Sequence, residues 1–117
     1  MATTNRTSHC EVVKAILEDY NNRHPGRHSP ERDTETTLLT DDVHGAYAVL
    51  RHGWEGKSRV QHVLVFIRLV DGRIWIEEDW TDYDFAGRLL EAGIPPEKIE
   101  LAFHHPRLRQ YADVTML

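Results

Sequence analysis

The stretch Ser58–Asp79, "SRVQHVLVFIRLVDGRIWIEED", decides the fold. Its first half becomes apolar at every position from Val63 to Ile67, as expected of a strand covered on both faces. Asp71 and Gly72 then supply the two positive-φ residues of a tight hairpin turn. "RIWIE" resumes the strand pattern on the far side. Working outward, "TETTLLT" (34–40) reads as a first strand closed by Asp41-Asp42, and "AYAVLRHGW" (46–54) as a second. In the second, Tyr47 and Val49 fall on one face and Ala48, Leu50 and Trp54 on the other. The expected architecture is α+β: an antiparallel meander of about four strands, an N-terminal helix packed on one face, and a second helix after the last strand.

The first helix is signalled by "SHCE", in which Ser8 and Glu11 form a capping box. Val12, Val13, Ile16, Leu17 and Tyr20 follow at one-face spacing, so a helix is expected from about His9 to Asn22, ending before His24-Pro25-Gly26. Thr81 to Asp84 repeats the capping pattern ahead of "DFAGRLLEAG". Gly93 is placed as the left-handed cap and Pro95-Pro96 as the stop. "IELAF" alternates Ile99, Leu101 and Phe103, which suits a short strand. Residues 1–7 read as a flexible end and 8–117 as a single domain. Trp54 and Trp75 are expected to be buried anchors of the sheet.

The chain has 117 residues, 40% of them hydrophobic, enough for one core. No apolar run reaches the roughly 20 residues of a membrane span, and the N-terminus has no signal-peptide core. The lone Cys10 excludes an internal disulfide and fits a reducing, cytoplasmic setting. Net charge is −5, unevenly spread: residues 1–70 balance, whereas residues 71–100 hold three basic and nine acidic side chains. The one basic stretch, "RHPGRHSPER", carries Arg23, Arg27 and Arg32 among Pro and Gly and reads as a solvated loop. Direct DNA binding would require Arg23, Arg27, Arg32, Arg51 and Arg59 to converge on one face.

Six acids lie between Asp71 and Asp84, which raises the alternative of a metal-dependent nuclease or hydrolase. Such a site needs a Lys two residues beyond the Glu to balance developing charge. The positions two after Glu77 and Glu78 hold Asp79 and Trp80 instead. A regular pleat would also point Glu77 and Asp79 to one face and Glu78 to the other. Asp71 belongs to the turn, and Asp82 and Asp84 to the first turn of the second helix, where the macrodipole favours them. The eight His show no metal-ligand spacing, since Pro25-Gly26 separates His24 from His28. No catalytic, cofactor or metal residue is therefore expected. Glu77, Glu78, Asp79 and Trp80 are the candidate partner-binding residues.

The order of motifs resembles the XisI family of fdxN-element excision controlling factors. The residues that carry the resemblance are Tyr47, Gly53-Trp54, "DGRIWIE" (71–77), Thr81, "EAGIPPEKIEL" (91–101), Phe103, His104, Pro106 and Arg109. Together they span about residues 8–115. Family members commonly carry His where this chain has Phe66 and an acid where it has Arg68. The resemblance implies an α+β accessory protein without catalytic residues or cofactor, associated with excision of a DNA element by a site-specific recombinase. It also implies a protein partner such as a XisH-type, nuclease-like protein, with homo-oligomerisation possible. Arg109 joins the candidate contact residues on this ground. Tyr47, Gly53, Trp54, Asp71, Gly72, Trp75, Gly93, Pro95 and Phe103 form the structural motif.

Overall fold

In the computed structural model, which describes residues 4–102 and side chains from His9 onward, Ser58–Asp79 forms the expected hairpin. In chain order the elements are α1 (Thr4–Arg23), β1 (Arg27–His28), β2 (Arg32–Asp41), β3 (Ala46–Glu55), β4 (Ser58–Val70), β5 (Arg73–Asp79), α2 (Phe85–Glu91), a 3-10 turn (Pro96–Lys98) and β6 (Ile99–Leu101). The strands lie side by side in sequence order. Four pairings are antiparallel, and β6 runs parallel to β5. The α+β class holds, but the sheet has six strands where about four were expected. β1 lies in the Pro/Gly-rich stretch whose composition suits a loop. β6 joins the sheet because α2 carries the chain back across it, as a parallel pairing requires.

At the β4–β5 turn Asp71 and Gly72 have φ of 52° and 77°, and Val70 pairs with Arg73. This is the two-residue loop whose twist matches the flanking strands. The helix ends differ from expectation. α1 begins at Thr4, so Ser8 and Glu11 lie inside it and do not form its cap. No Gly or Pro occurs in residues 4–7 to stop the helix there. α2 is capped by Asp84, not Thr81: Gly87 N–H donates to Asp84 Oδ1 at 3.0 Å. At its other end Gly93 N–H donates to Leu90 O and Ile94 N–H to Leu89 O, a Schellman closure over the buried Ile94.

One face of the sheet carries Tyr47, Val49, Val65, Ile67, Leu69, Ile74 and Ile76. α1 covers it with Val13, Leu17 and Tyr20, and α2 adds Phe85 and Leu89. Truncating one of these fully buried aliphatic side chains to Ala costs about 2–5 kcal/mol. Both helices pack on this inner face. The apolar run Val63–Ile67 therefore does not arise from cover on two sides. A bulge between Val49 and Leu50 leaves Leu64 without a cross-strand partner, and Leu64 and Val65 are both buried as a result. The outer face carries Leu39, Ala48, Leu50, Phe66 and Trp75. Trp54 lies in β3 as expected but is 48% exposed, so it is not a buried anchor. The Arg59 guanidinium sits 5.5 Å from its ring centre.

Candidate functional site

The acidic rim at the exit of β5 is shaped by a second bulge. Ile67 pairs with Ile76 and Phe66 with Glu78, which leaves Glu77 as an extra residue. The extra residue cancels one step of alternation. Glu77 and Glu78 consequently share the outer face with Phe66, Arg68 and Trp75, and the expected separation of the two acids is overturned. Arg68 Nη1 donates to Glu77 Oε2 at 3.3 Å. Trp80 Nε1 donates to Glu78 Oε2 at 2.9 Å, while the Trp80 ring is 74% exposed.

Asp79, paired with Val65, turns to the inner face. Its Oδ1 accepts from Thr81 N–H at 2.8 Å and from Thr81 Oγ1 at 2.6 Å. Burial pushes the Asp79 carboxyl above its ordinary range in spite of these bonds, with Asp84 and Asp82 adding to the rise. Asp71 holds the turn, Asp84 the cap, and Asp82 is exposed. The six acids thus divide among a turn, a cap, an inward hydrogen bond, a two-residue outer rim and the exposed Asp82. Among the described residues no three His, Cys, Asp or Glu side chains are grouped to hold a metal ion. Phe103 and Arg109 lie outside the described residues.

A second cluster joins α1 to the β2–β3 connection. Tyr47 Oη donates to Asp42 Oδ1 at 2.9 Å, and Cys10 Sγ lies 3.1 Å from the same hydroxyl. Cys10 Sγ donates to Asp42 Oδ1 at 3.3 Å and Lys14 Nζ to Asp42 Oδ2 at 3.0 Å. The Lys14 bond, followed by those from Tyr47 and Cys10, holds the Asp42 carboxyl below its ordinary range. Burial, with the Cys10 and Asp42 bonds, pushes the Tyr47 phenol far up, so it serves as a neutral donor. Sequence spacing could not show this group, because Asp42 and Tyr47 meet Cys10 and Lys14 only when α1 lies on the sheet. A similar tie links α1 to α2: Tyr83 Oη donates to Asp19 Oδ2, and Arg88 lies over the Tyr83 ring at 3.7 Å.

The histidines and arginines are also sorted by the fold. His28 is bonded to Asp33, His44 to Asp41 and His52 to Thr37. His24 stacks on Tyr20 with ring centres 4.2 Å apart. Arg23, Arg27, Arg32 and Arg51 line one cavity of about 270 Å³ where α1 ends, so four of the five arginines named for DNA contact do converge. Arg59 stays apart, on Trp54.

The model of the XisI protein family matches residues 1–116. The chain belongs to the XisI family. Its XisI fold is shared with two solved proteins of Anabaena variabilis ATCC 29413. One, described as a XisI-like protein, is 30% identical, with 92% of this chain and 95% of that one aligned at a TM-score of 0.81. The other, the fdxN element excision controlling factor XisI, is 34% identical over 92% and 94% of the two chains, at a TM-score of 0.79. No curated protein matches the chain. Within this XisI domain the motif residues Tyr47, Gly53, Asp71, Gly72 and Gly93 hold packing and turns. A Cβ on Gly53 (φ 141°) would lie 2.1 Å from Asp33 O, so the β2–β3 pairing needs glycine there.

Proposed function

We propose that this chain is a non-enzymatic controlling factor for excision of a DNA element, acting from the cytoplasm through a protein partner with a basic face. A XisH-type, nuclease-like protein is the expected partner. The observation that carries the reading is the outer rim of β5, where the bulge sets Glu77 and Glu78 side by side next to the exposed Trp80. An exposed Trp flanked by carboxylates suits a contact centre: the ring supplies burial, and the acids steer and orient a cationic partner. Three other acids of the segment support the same reading, because Asp71 occupies the turn, Asp84 caps α2 and Asp79 is bonded to Thr81.

The test is complementation. Cells lacking the chain receive either wild type or the variant Glu77→Gln/Glu78→Gln/Trp80→Ala, and excision of the element is scored. The expected result is excision with wild type and its loss with the variant, whose melting curve stays close to wild type. DNA cleavage by the purified protein with magnesium, abolished by the same substitutions, would overturn the reading in favour of an enzyme.

A further inference from the structure

We propose that the arginine-lined cavity below the end of α1 binds phosphate groups of a nucleic-acid backbone. The cavity is built from the chain upward. Pro25 ends α1 at Arg23, which places that side chain at the rim. Gly26 then crosses β2 so closely that a Cβ would lie 2.1 Å from Thr34 O and 2.9 Å from Glu35 Cα. This close approach, fixed by Thr36 Oγ1 donating to His24 O at 3.0 Å, brings Arg27 beside Thr34 of β2. Arg32 shares the inner face of β2 with Thr34 and Thr36, and Arg51 pairs with Thr36 from β3. Four arginines from four segments thus line one space of about 270 Å³.

Charge accounting favours an anion there. Arg23 is paired with Asp19 and Arg32 with Glu55, each at 2.9 Å and each substantially exposed. Such exposed pairs are worth about 0–1 kcal/mol and yield readily to a stronger acceptor. Among the described residues, neither Arg27 nor Arg51 has a carboxylate within ion-pair distance. Glu35 contributes to the lining, but the pleat sends its side chain to the outer face opposite His52. In a chain of net charge −5, this is a local cationic site, and the planar guanidinium fork matches the oxygens of a phosphate. The choice of a polymer backbone over a free anion rests on the proposed role in DNA-element excision. The cavity itself is independent of the Glu77–Trp80 rim.

The probe is a short fluorescein-labelled DNA duplex, titrated with the full-length protein over a range of salt concentrations, with inorganic phosphate as a separate ligand. Wild type should bind the duplex at low salt, with log K falling against log salt at a slope of about −2 to −4, as two to four neutralised phosphates require. Arg27→Gln/Arg51→Gln should weaken binding and make the slope shallower by about 2, and Arg27→Gln alone by about 1. Arg59→Gln should leave both unchanged. Melting curves establish that the variants are folded, and the exposed Arg27→Gln keeps the test valid if Arg51→Gln is unstable. Absence of duplex binding at low salt would overturn the proposal. So would equal loss in Arg59→Gln, or saturable phosphate binding with the duplex binding no better. If the duplex does not bind but excision still depends on the Glu77–Trp80 rim, the backbone site fails and the proposed function stands.

Discussion

The acidic rim of β5 and the arginine cavity of β1–β3 differ in how visible they are and how their charges are engaged. The acids are crowded in sequence, yet the fold disperses them: Asp79 turns inward to Thr81, Asp84 caps α2, and Glu77 and Glu78 share the outer face. The arginines are scattered from position 23 to 51, yet the fold gathers them at one cavity and leaves two without a carboxylate partner among the described residues. Density of charge along a chain therefore says little about charge left available for a ligand. What counts is how many of the groups the local structure has already satisfied.

The largest expected effect tests the gathering of the arginines. Gly26→Val drives side-chain carbons into Thr34 O and Glu35 Cα, so the loop must move. A loss of about 1–3 kcal/mol is expected, as for other overpacked sites, with a lower melting temperature and a displaced Arg27. A melting temperature equal to wild type would show that the close crossing does not hold the cavity together. Next comes the dispersal of the acids. Asp84→Ala removes the α2 cap and should cost about 1 kcal/mol in a urea melt. Asp84→Asn, which keeps the acceptor and tolerates the left-handed φ of 64°, should stay near wild type. Equal losses in the two would assign the effect to charge and not to the cap.

Asp79 gives a smaller, pH-dependent effect. Its folded carboxyl titrates above the unfolded one because of burial, so the folded state binds the proton more tightly. This group's contribution is unfavourable at neutral pH. It eases as pH falls through the raised folded value and vanishes below the unfolded value near 3.8. Asp79→Asn should thus be slightly more stable than wild type at pH 7, with the gap closing toward pH 4. Urea melts at the two pH values check it, and a gap that widens in acid would contradict the burial cause. The smallest effect belongs to the rim. Glu77→Gln/Glu78→Gln should shift stability by less than about 1 kcal/mol, since the Arg68–Glu77 pair is exposed. Its partner binding should nonetheless weaken, most at low ionic strength.

Much of this contrast follows from which interactions are local. The β4–β5 hairpin was legible because Asp71-Gly72 and the flanking alternation act within a few residues of each other. The Schellman end at Gly93 and the stop before Pro25 were legible for the same reason. Family membership was readable from the spacing of "DGRIWI" and "AGIP". Less visible were features set by distant pairing. β1 has two residues and no periodicity of its own. The parallel placement of β6 depends on α2, and the Cys10–Asp42–Tyr47 group depends on α1 lying across the sheet. The rim was half legible: the run of Glu77, Glu78 and Asp79 stands out in the sequence, but an alternation rule cannot foresee the bulge that sets Glu77 beside Glu78 and turns Asp79 inward.

The bulge at Glu77 also bears on which changes of length this sheet can absorb. A bulge is a position where a strand holds one residue more than its ladder uses. Removing Glu77 would leave Ile76 opposite Ile67 and Glu78 opposite Phe66, so every remaining side chain of β5 keeps its face. Removing Trp75 instead, while the turn keeps its register, would exchange inner and outer residues beyond that point and bring Glu77 toward the packed interior. Leu64 plays the same part in β4. β4 and β5 each contain one residue whose deletion leaves the alternation of faces intact, surrounded by positions where a deletion does not.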